Sequence, residues 1–453
     1  MNQKTILLLM VLFISKTSFS QEKKNSSYNF TIKQCIEYAN QNQADVKNAG
    51  LDEEIAQAKV REIIGIGLPQ INAGVDVKYF AKLPTSLIPA KFFGGRDGEF
   101  LPISFGTKYN MTPSIDASQL VFDGSYLVGL QAAKVYTQMA QKATEKSKID
   151  IAANISKAYY SVLINEEHAK LIDINIERTK KLLSDSKALY ENGFIEKIDI
   201  DRISVLNNNL VSEKEKIQRL IALSYYLLKF QMGMDISSEL SLTEKLTEID
   251  FKAIPMPSVN FDYSKKIEYA QMQILKKLKE LDLKRYQVAY LPSIVAYGSL
   301  SSQAQRDKFD FFDTKQSLSN KWYPIGLLGA KLNIPIFDGL QKLRKINQAS
   351  LEIEKTNNTM KLVSQSIDLQ IESAKTNLLN SINSMETQKK NMELADEVFK
   401  VVKTKYEEGV GSNLEIINAE AAQKESRINY YSALYDAIIA KIDLEKATGT
   451  LGK

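Results

Sequence analysis

The chain has 453 residues, a quarter of them charged, with 59 Lys and Arg against 54 Asp and Glu. That near-balance, with the charges interspersed rather than blocked, argues against a nucleic-acid partner. A single cysteine and a single histidine argue against a disulfide framework, a CxxC metal site and histidine-dependent catalysis, so no metal, cofactor or enzymatic activity is expected.

In chain order, residues 1–20 carry an early lysine (Lys4), an apolar run from Ile6 to Ile14 and small residues at Ser18 and Ser20. This pattern predicts a secretory signal peptide cleaved after Ser20, the alternative being a buried N-terminal helix. Cys35 lies too far downstream to serve as a lipid anchor at the cleavage site. No later apolar run reaches the roughly 18 residues of a membrane helix, so any membrane span must be a β-barrel. The exported destination is then the periplasm, the outer membrane or the outside.

A helix is predicted over about 31–67, then a strand in which Ile71, Ala73, Val75, Val77 and Tyr79 alternate with Asn72, Gly74, Asp76 and Lys78. Period-two alternation gives one apolar and one polar face, as a barrel strand between lipid and water requires. A long outer loop is predicted near 82–108, and a second strand contains Ile115, Ala117 and Val121. Phe122-Asp123-Gly124 follows where strand becomes helix: the aspartate suits a helix cap and the phenylalanine a membrane-boundary aromatic.

From Ser125 to Tyr190 there is no proline, which predicts a helix of about 95–100 Å. Ile151, Ile155, Ala158, Val162 and on to Ser186 and Tyr190 keep alternating 4,3 spacing, the signature of a coiled-coil seam. Gly193 fits a left-handed helix stop, and a returning helix is expected over about 195–231. His168, within the long helix, reads as surface or interface packing.

The chain then repeats itself. Leu291-Pro292-Ser293-Ile294 echoes Leu68-Pro69-Gln70-Ile71 at an offset of 223; Phe337-Asp338-Gly339 echoes Phe122-Asp123-Gly124 at 215; Tyr406-Glu407-Glu408-Gly409 echoes Tyr190-Glu191-Asn192-Gly193 at 216. The second half predicts a helix over 262–290, strands around 294–299 and 328–334, an outer loop near 303–322, a long helix from 340 to 406 and a returning helix over 412–447. Its seam runs from Ile367 through Ile371, Ala374 and Leu378 to Phe399, Val402 and Tyr406. Ser412-Asn413-Leu414-Glu415 predicts a capping box, where the first half offers only Glu196 to Asp199. The expected organisation is a signal peptide (1–20), a first repeat (21–234), a linker (235–262, with Pro255 and Pro257) and a second repeat (263–453). Four strands cannot close a membrane barrel, for which eight is the minimum, so the chain must oligomerise; a trimer supplies twelve.

These motifs, weak singly but specific in order and duplication, resemble the TolC-like outer membrane efflux protein family over nearly the whole mature chain. The resemblance implies a mixed α and β membrane protein: a homotrimeric 12-stranded outer membrane β-barrel, four strands per chain, continued by a long periplasmic α-helical coiled-coil barrel. It implies a passive exit duct for a tripartite efflux or type I secretion system, with an inner-membrane pump, a periplasmic adaptor (membrane fusion) protein and outer membrane lipid as partners.

Carried over by position, Asn192, Gly193 and Phe194, with Glu408, Gly409 and Val410, are adaptor-contacting. Tyr406, Glu415 and Asn418 occupy gate and constriction positions. Family members carry acids six and nine residues after the second tip glycine, so only Glu415 keeps the acid. A basic residue expected five positions after Tyr406 is replaced by Gly411, which puts that gating link in doubt. The linker is implied to wrap the tunnel waist with the C-terminal region. The alternatives are a periplasmic coiled-coil adaptor or scaffold without a barrel, and an exported enzyme with helical arms.

Overall fold

The computed structural model describes residues 27–246, 261–313 and 321–451. The expected signal peptide and the linker prolines Pro255 and Pro257 lie outside them. The elements run β1 (Ser27–Phe30), α1 (Ile32–Asn42), α2 (Ala44–Ile66), β2 (Gln70–Tyr79), β3 (Thr85–Pro89), β4 (Phe100–Ser104), β5 (Tyr109–Phe122), α3 (Gly124–Glu191) and α4 (Lys197–Met232). They continue β6 (Glu239–Leu242), α5 (Ile267–Val288), β7 (Ser293–Arg306), β8 (Tyr323–Asn333), α6 (Gln341–Glu407) and α7 (Asn413–Thr448). The two long helices have 68 and 67 residues and the two returning helices 36 each. Among the described residues no helix is long and apolar enough to cross a membrane.

The chain divides into two compact units, each drawing on both halves of the sequence. One contains the described residues of 48–146 and 260–369. Its centre is a four-stranded antiparallel sheet in the order β2-β5-β7-β8, with β2 and β8 as the outer strands. Pairing makes the four separate alternations into two continuous faces, because residues directly opposite one another share a face. Val75 pairs with Pro113 and Ala73 with Ile115; Ile115 pairs with Leu300, and Gly298 with Leu328. On the other face Asn72 pairs with Asp116, Asp116 with Ser299, and Val295 with Lys331. Asp116 is held there by the Ser114 hydroxyl, which donates to Oδ2 at 2.8 Å.

At the end of the sheet where β2 runs out, aromatic rings meet. Tyr79 lies 4.9 Å from Tyr109, Tyr109 5.9 Å from Phe309, Phe309 5.4 Å from Phe311, and Phe311 6.3 Å from Trp322. Phe311 is buried against Met111 and Ala304.

Two expectations for the loops are corrected. The segment 82–108 is not simply loop: β3 and β4 pair antiparallel from Thr85↔Ser104 to Pro89↔Phe100, since Leu87, Ile88, Leu101 and Ile103 give it β-forming apolar content. The second loop does not begin at 303, because β7 continues to Arg306, paired with Tyr109.

The other unit contains the described residues of 1–47, 147–259 and 370–453. Thr31 caps α1 through a reciprocal box with Gln34. Cys35 and Ala39 then sink into a core with Ile151, Ile155, Tyr159, Val162, Leu228 and Met232. Burial holds the Cys35 thiol up at about 12, so it is a packing residue and not a reactive thiol.

The opening helix, expected unbroken over 31–67, is interrupted at Gln43, whose backbone is extended (φ −69°, ψ 134°). The Gln43 side chain restarts the chain by accepting from Val46 N–H. What packs against the break lies 190 residues on. Gly233, in the left-handed region at φ +67°, comes so close that a Cβ there would lie 2.7 Å from Gln43 Cα and 2.9 Å from the Asn42 carbonyl.

The first described residues of the linker also find a partner: β6 pairs in parallel with β1, Ser27↔Glu239 to Phe30↔Leu242. Among the described residues, the start of this segment is therefore held by the N-terminal strand.

The predicted seams are buried along much of the long helices, while Tyr190, expected to end the first seam, is 43% exposed. Ile151, Ile155, Ala158, Val162, Ile172, Ile176, Thr179 and Ser186 are buried, as are Ile367, Ile371, Ala374, Leu378 and Phe399. Each large aliphatic so placed contributes about 1.5–3 kcal/mol as an upper estimate.

Candidate functional site

The strand-to-helix junctions are built alike at the cap and differently at the glycine. Asp123 Oδ1 accepts from Tyr126 N–H at 2.7 Å, and Asp338 Oδ2 from Lys342 N–H at 3.0 Å with the Lys342 ammonium 3.6 Å away. Both aspartates are therefore helix caps. Gly124 is needed for space: a Cβ there would meet the Val288 carbonyl at 3.1 Å and Val288 Cβ at 3.2 Å. Gly339 has open space and is needed for its backbone, φ +65°, and Leu340 beside it also holds a positive φ of 67°. Phe122 and Phe337 are both exposed. Asp123→Ala is expected to cost about 1 kcal/mol of stability, read as a lowered unfolding midpoint; an unchanged midpoint would remove the cap from the account.

The two helix hairpins end their long helices with the same cap. Gly193 (φ +81°) donates to Tyr190 O at 2.9 Å while Phe194 N–H reaches Leu189 O at 2.9 Å. Gly409 (φ +76°) donates to Tyr406 O at 3.1 Å and Val410 N–H reaches Lys405 O at 3.0 Å. This double closure is a Schellman motif, which needs glycine at the left-handed position. The motif recurs at Gly233 and Gly449, again 216 residues apart, ending the returning helices. Sequence reading passed over that pair, although the spacing alone would have disclosed it.

Beyond the glycines, Phe194 is 76% and Val410 79% exposed, so each hairpin presents an apolar side chain outward. Asn192 and Glu408 are exposed beside them. Gly411, where the resemblance implied a basic residue, is dictated by the turn: a Cβ there would lie 2.9 Å from Tyr406 N. Ser412 Oγ accepts from Glu415 N–H at 3.2 Å. The return bond of the expected capping box is not made among the described residues; the Glu415 carboxylate stays exposed, where water solvates it, and Asn418 is exposed as well. At the first hairpin Glu196 is the N-cap and makes no side-chain cap bond.

Tyr406 is drawn inward. Its hydroxyl lies 3.2 Å from Ser186 Oγ of the first long helix, and Asn413 Nδ2 donates to the Asp199 carbonyl at 3.1 Å, so the hairpins from the two halves are bonded together. Above them lies a polar network that sequence reading missed. Arg178 donates to Gln423 Oε1 at 2.9 Å and stacks over Phe399 at 5.3 Å; Gln423 donates to Asp396 at 2.7 Å; Arg427 clamps the Asp396 carboxylate at 3.0 and 2.9 Å.

The signal was present in α7. Asn413, Ile416, Glu420, Gln423 and Arg427 keep the 3,4 spacing of a seam with polar residues at core positions, which marks a specified contact. His168 is partly buried in the same unit with no bond to Nε2; burial lowers its pKa, opposed by the Glu213 charge.

The outer membrane efflux protein family model matches residues 268–450. TolC of Vibrio cholerae is 19% identical over 351 residues, covering 76% of this chain and 77% of that protein. Among solved structures, CusC superposes with a TM-score of 0.72 at 14% identity over 93% of both chains. The CmeC outer membrane channel of Campylobacter jejuni gives 0.70 at 15% identity, over 96% of this chain and 90% of that one. The chain resembles the TolC-like outer membrane efflux proteins, whose family model its residues 268–450 match. Like those relatives, it is located in the outer membrane and reaches into the periplasm. Its four-stranded sheet and long helices are the fold of that family's channels.

Proposed function

We propose that three copies of this chain form a passive outer membrane efflux channel, the exit duct of a tripartite efflux or type I secretion system. The observation that carries this reading is the sheet. It is apolar on one face and polar on the other, and both of its outer strands, β2 and β8, lack a neighbour among the described residues. An open edge that long is a template for pairing. Pairing β8 of one copy with β2 of the next closes a twelve-stranded barrel, lipid outside and water inside. The ring of Tyr79, Tyr109, Phe309, Phe311 and Trp322 suits the interfacial aromatic girdle of such a barrel. On this reading the two halves are a duplicated unit, six similar walls surround the axis, and the hairpins face a periplasmic adaptor coupled to an inner-membrane pump. Phe194 and Val410 with Asn192, Gly193, Glu408 and Gly409 form the docking surface, and Tyr406, Glu415 and Asn418 line the constriction.

Membrane fractionation and sizing test the reading directly: a trimer in the outer membrane fraction is expected. A soluble periplasmic monomer would instead support an adaptor or scaffold. In planar bilayers the trimer should conduct with a preference for cations set by three Glu415 carboxylates. Glu415→Gln is expected to lower the cation-to-anion permeability ratio roughly two-fold, more at low salt where screening is weak. An unchanged ratio takes Glu415 out of the constriction.

A further inference from the structure

Each half of the chain gives the four-stranded sheet two strands, and the two pairs share one register. Moving β2 by 223 residues and β5 by 215, the offsets of the Leu-Pro and Phe-Asp-Gly motifs, turns Gln70↔Ser118 into Ser293↔Asn333. It likewise turns Ala73↔Ile115 into Ala296↔Ala330 and Tyr79↔Tyr109 into Ser302↔Pro324. All three results are pairs that β7 and β8 make. The duplication therefore extends into the ladder itself. A third ladder joins the halves, where β5, the second strand of one, pairs with β7, the first strand of the other. The edges without a neighbour among the described residues, β8 and β2, are again a second and a first strand. The chain thus contains a template for β8 against β2 of another copy.

Carried across by the same offsets, Asp116↔Ser299 becomes Lys331↔Asp76, Ala117↔Gly298 becomes Leu332↔Val75, and Ile115↔Leu300 becomes Ala330↔Val77. The side chains agree with this register. Asp76 and Lys331 are both exposed on the polar face, Asp76 opposite Thr112 of β5 and Lys331 opposite Val295 of β7. Lys78, on the same strand, lies 3.0 Å from Asp76. A slip of one residue would set the apolar side chains of one strand beside the polar ones of the other. Slips of two keep the faces matched but place Lys331 opposite Lys78, a like-charge pair, or opposite Gly74. The register with the longest overlap, Gln70 opposite Asn333, leaves Lys331 opposite Asn72.

We propose that Lys331 of one copy and Asp76 of the next form an ion pair across the joint between copies, in the register that sets Leu332 beside Val75. The ring itself belongs to the channel reading above, on which this pair rests; the register and the charges go beyond it. Three such pairs sit on the water-facing wall, one at each joint. Within the chain the corresponding place is held by Asp116 opposite Ser299, where covalent connection brings the strands together and no separate copy has to be recognised.

Cysteine pairs test the register in the full-length protein extracted from outer membranes. Val75→Cys with Leu332→Cys should give covalent dimers and trimers on mild oxidation, since residues directly opposite have Cα atoms about 4.5–5.5 Å apart, within disulfide reach. In one chain β2 and β8 are opposite edges of the sheet, so each such bond joins two copies. Val75→Cys with Leu328→Cys, brought together by the longest overlap, should not cross-link, its residues being about 13 Å apart along the strands. Cross-linking of the second pair instead, or of neither in a trimer confirmed by sizing, overturns the register and leaves the channel reading standing. Lys331→Asp should weaken each joint about two- to five-fold, read as a smaller trimer fraction on dilution in detergent, and Asp76→Lys in the same chain should restore it. No loss, or a loss that Asp76→Lys leaves unrepaired, removes the ion pair. Should the cysteine variants not accumulate, this charge exchange decides alone. A wild-type protein that is monomeric in the membrane extract sinks the channel reading and the ion pair with it.

Discussion

Gly233→Ala is expected to lower stability by about 2–5 kcal/mol, while Gly193→Ala costs about 1–2 kcal/mol. Both glycines hold a left-handed backbone at the end of a helix, with φ of +67° and +81°, so the backbone penalty is shared. They differ in surroundings. A methyl group at 193 meets nothing within 4 Å, whereas one at 233 drives into the backbone of Asn42 and Gln43. Backbone cannot rotate out of the way as a side-chain end does, so the α1–α2 break must shift or the α4 cap must open. Denaturation midpoints of the two variants, measured side by side, isolate that second cost. Equal shifts would mean that the close approach carries no energy.

The larger functional effect is expected at the hairpins. A Phe194→Asp, Val410→Asp double variant should leave folding and trimer assembly intact, because both side chains are more than three-quarters exposed and bury nothing within the chain. Burying two new carboxylates in an apolar docking surface costs at least 2 kcal/mol at a site of hot-spot type, so adaptor affinity should fall about 30-fold or more. Export in cells would fall with it. Pull-down of the adaptor and an efflux assay measure the two consequences separately. Normal adaptor binding by the double variant would move the docking surface elsewhere, and lost trimer assembly would show that these side chains serve the protein's own packing.

What the sequence disclosed follows the reach of each signal. Alternation in β2 and the heptad seam from Ile151 to Ser186 are local periodicities set by burial, and the structure buries those residues on those faces. Asp123 and Asp338 are legible because a cap needs an acceptor at one position. The break at Gln43 was invisible, because the Gly233 backbone packed against it is distant in sequence and no proline or glycine stands at the break. The β1–β6 pairing was hidden for a related reason: four-residue strands carry too few alternations to stand out. The network around Glu420 and Asp396 has a local signal, the polar residues at seam spacing in α7, but its partners on α3 and α6 are distant in sequence. Gly411 is the converse case, a departure from the family pattern at which the turn leaves no room for any side chain.

The two edges without a neighbour among the described residues, β2 with ten residues and β8 with eleven, also bear on how the protein is made. A strand edge that is an asset in the finished ring is a hazard in a newly exported single chain, because it pairs as readily with a stranger. The edges are dissimilar, so in the proposed ring chains would join head to tail, and ring closure alone would end the addition. A subunit able to accept a neighbour on β2 but blocked on β8 would therefore terminate growth instead of merely abstaining from it. In the proposed trimer one such copy would spoil the two intact chains it joins, and defects in this sheet would act dominantly in a cell that also makes the intact chain.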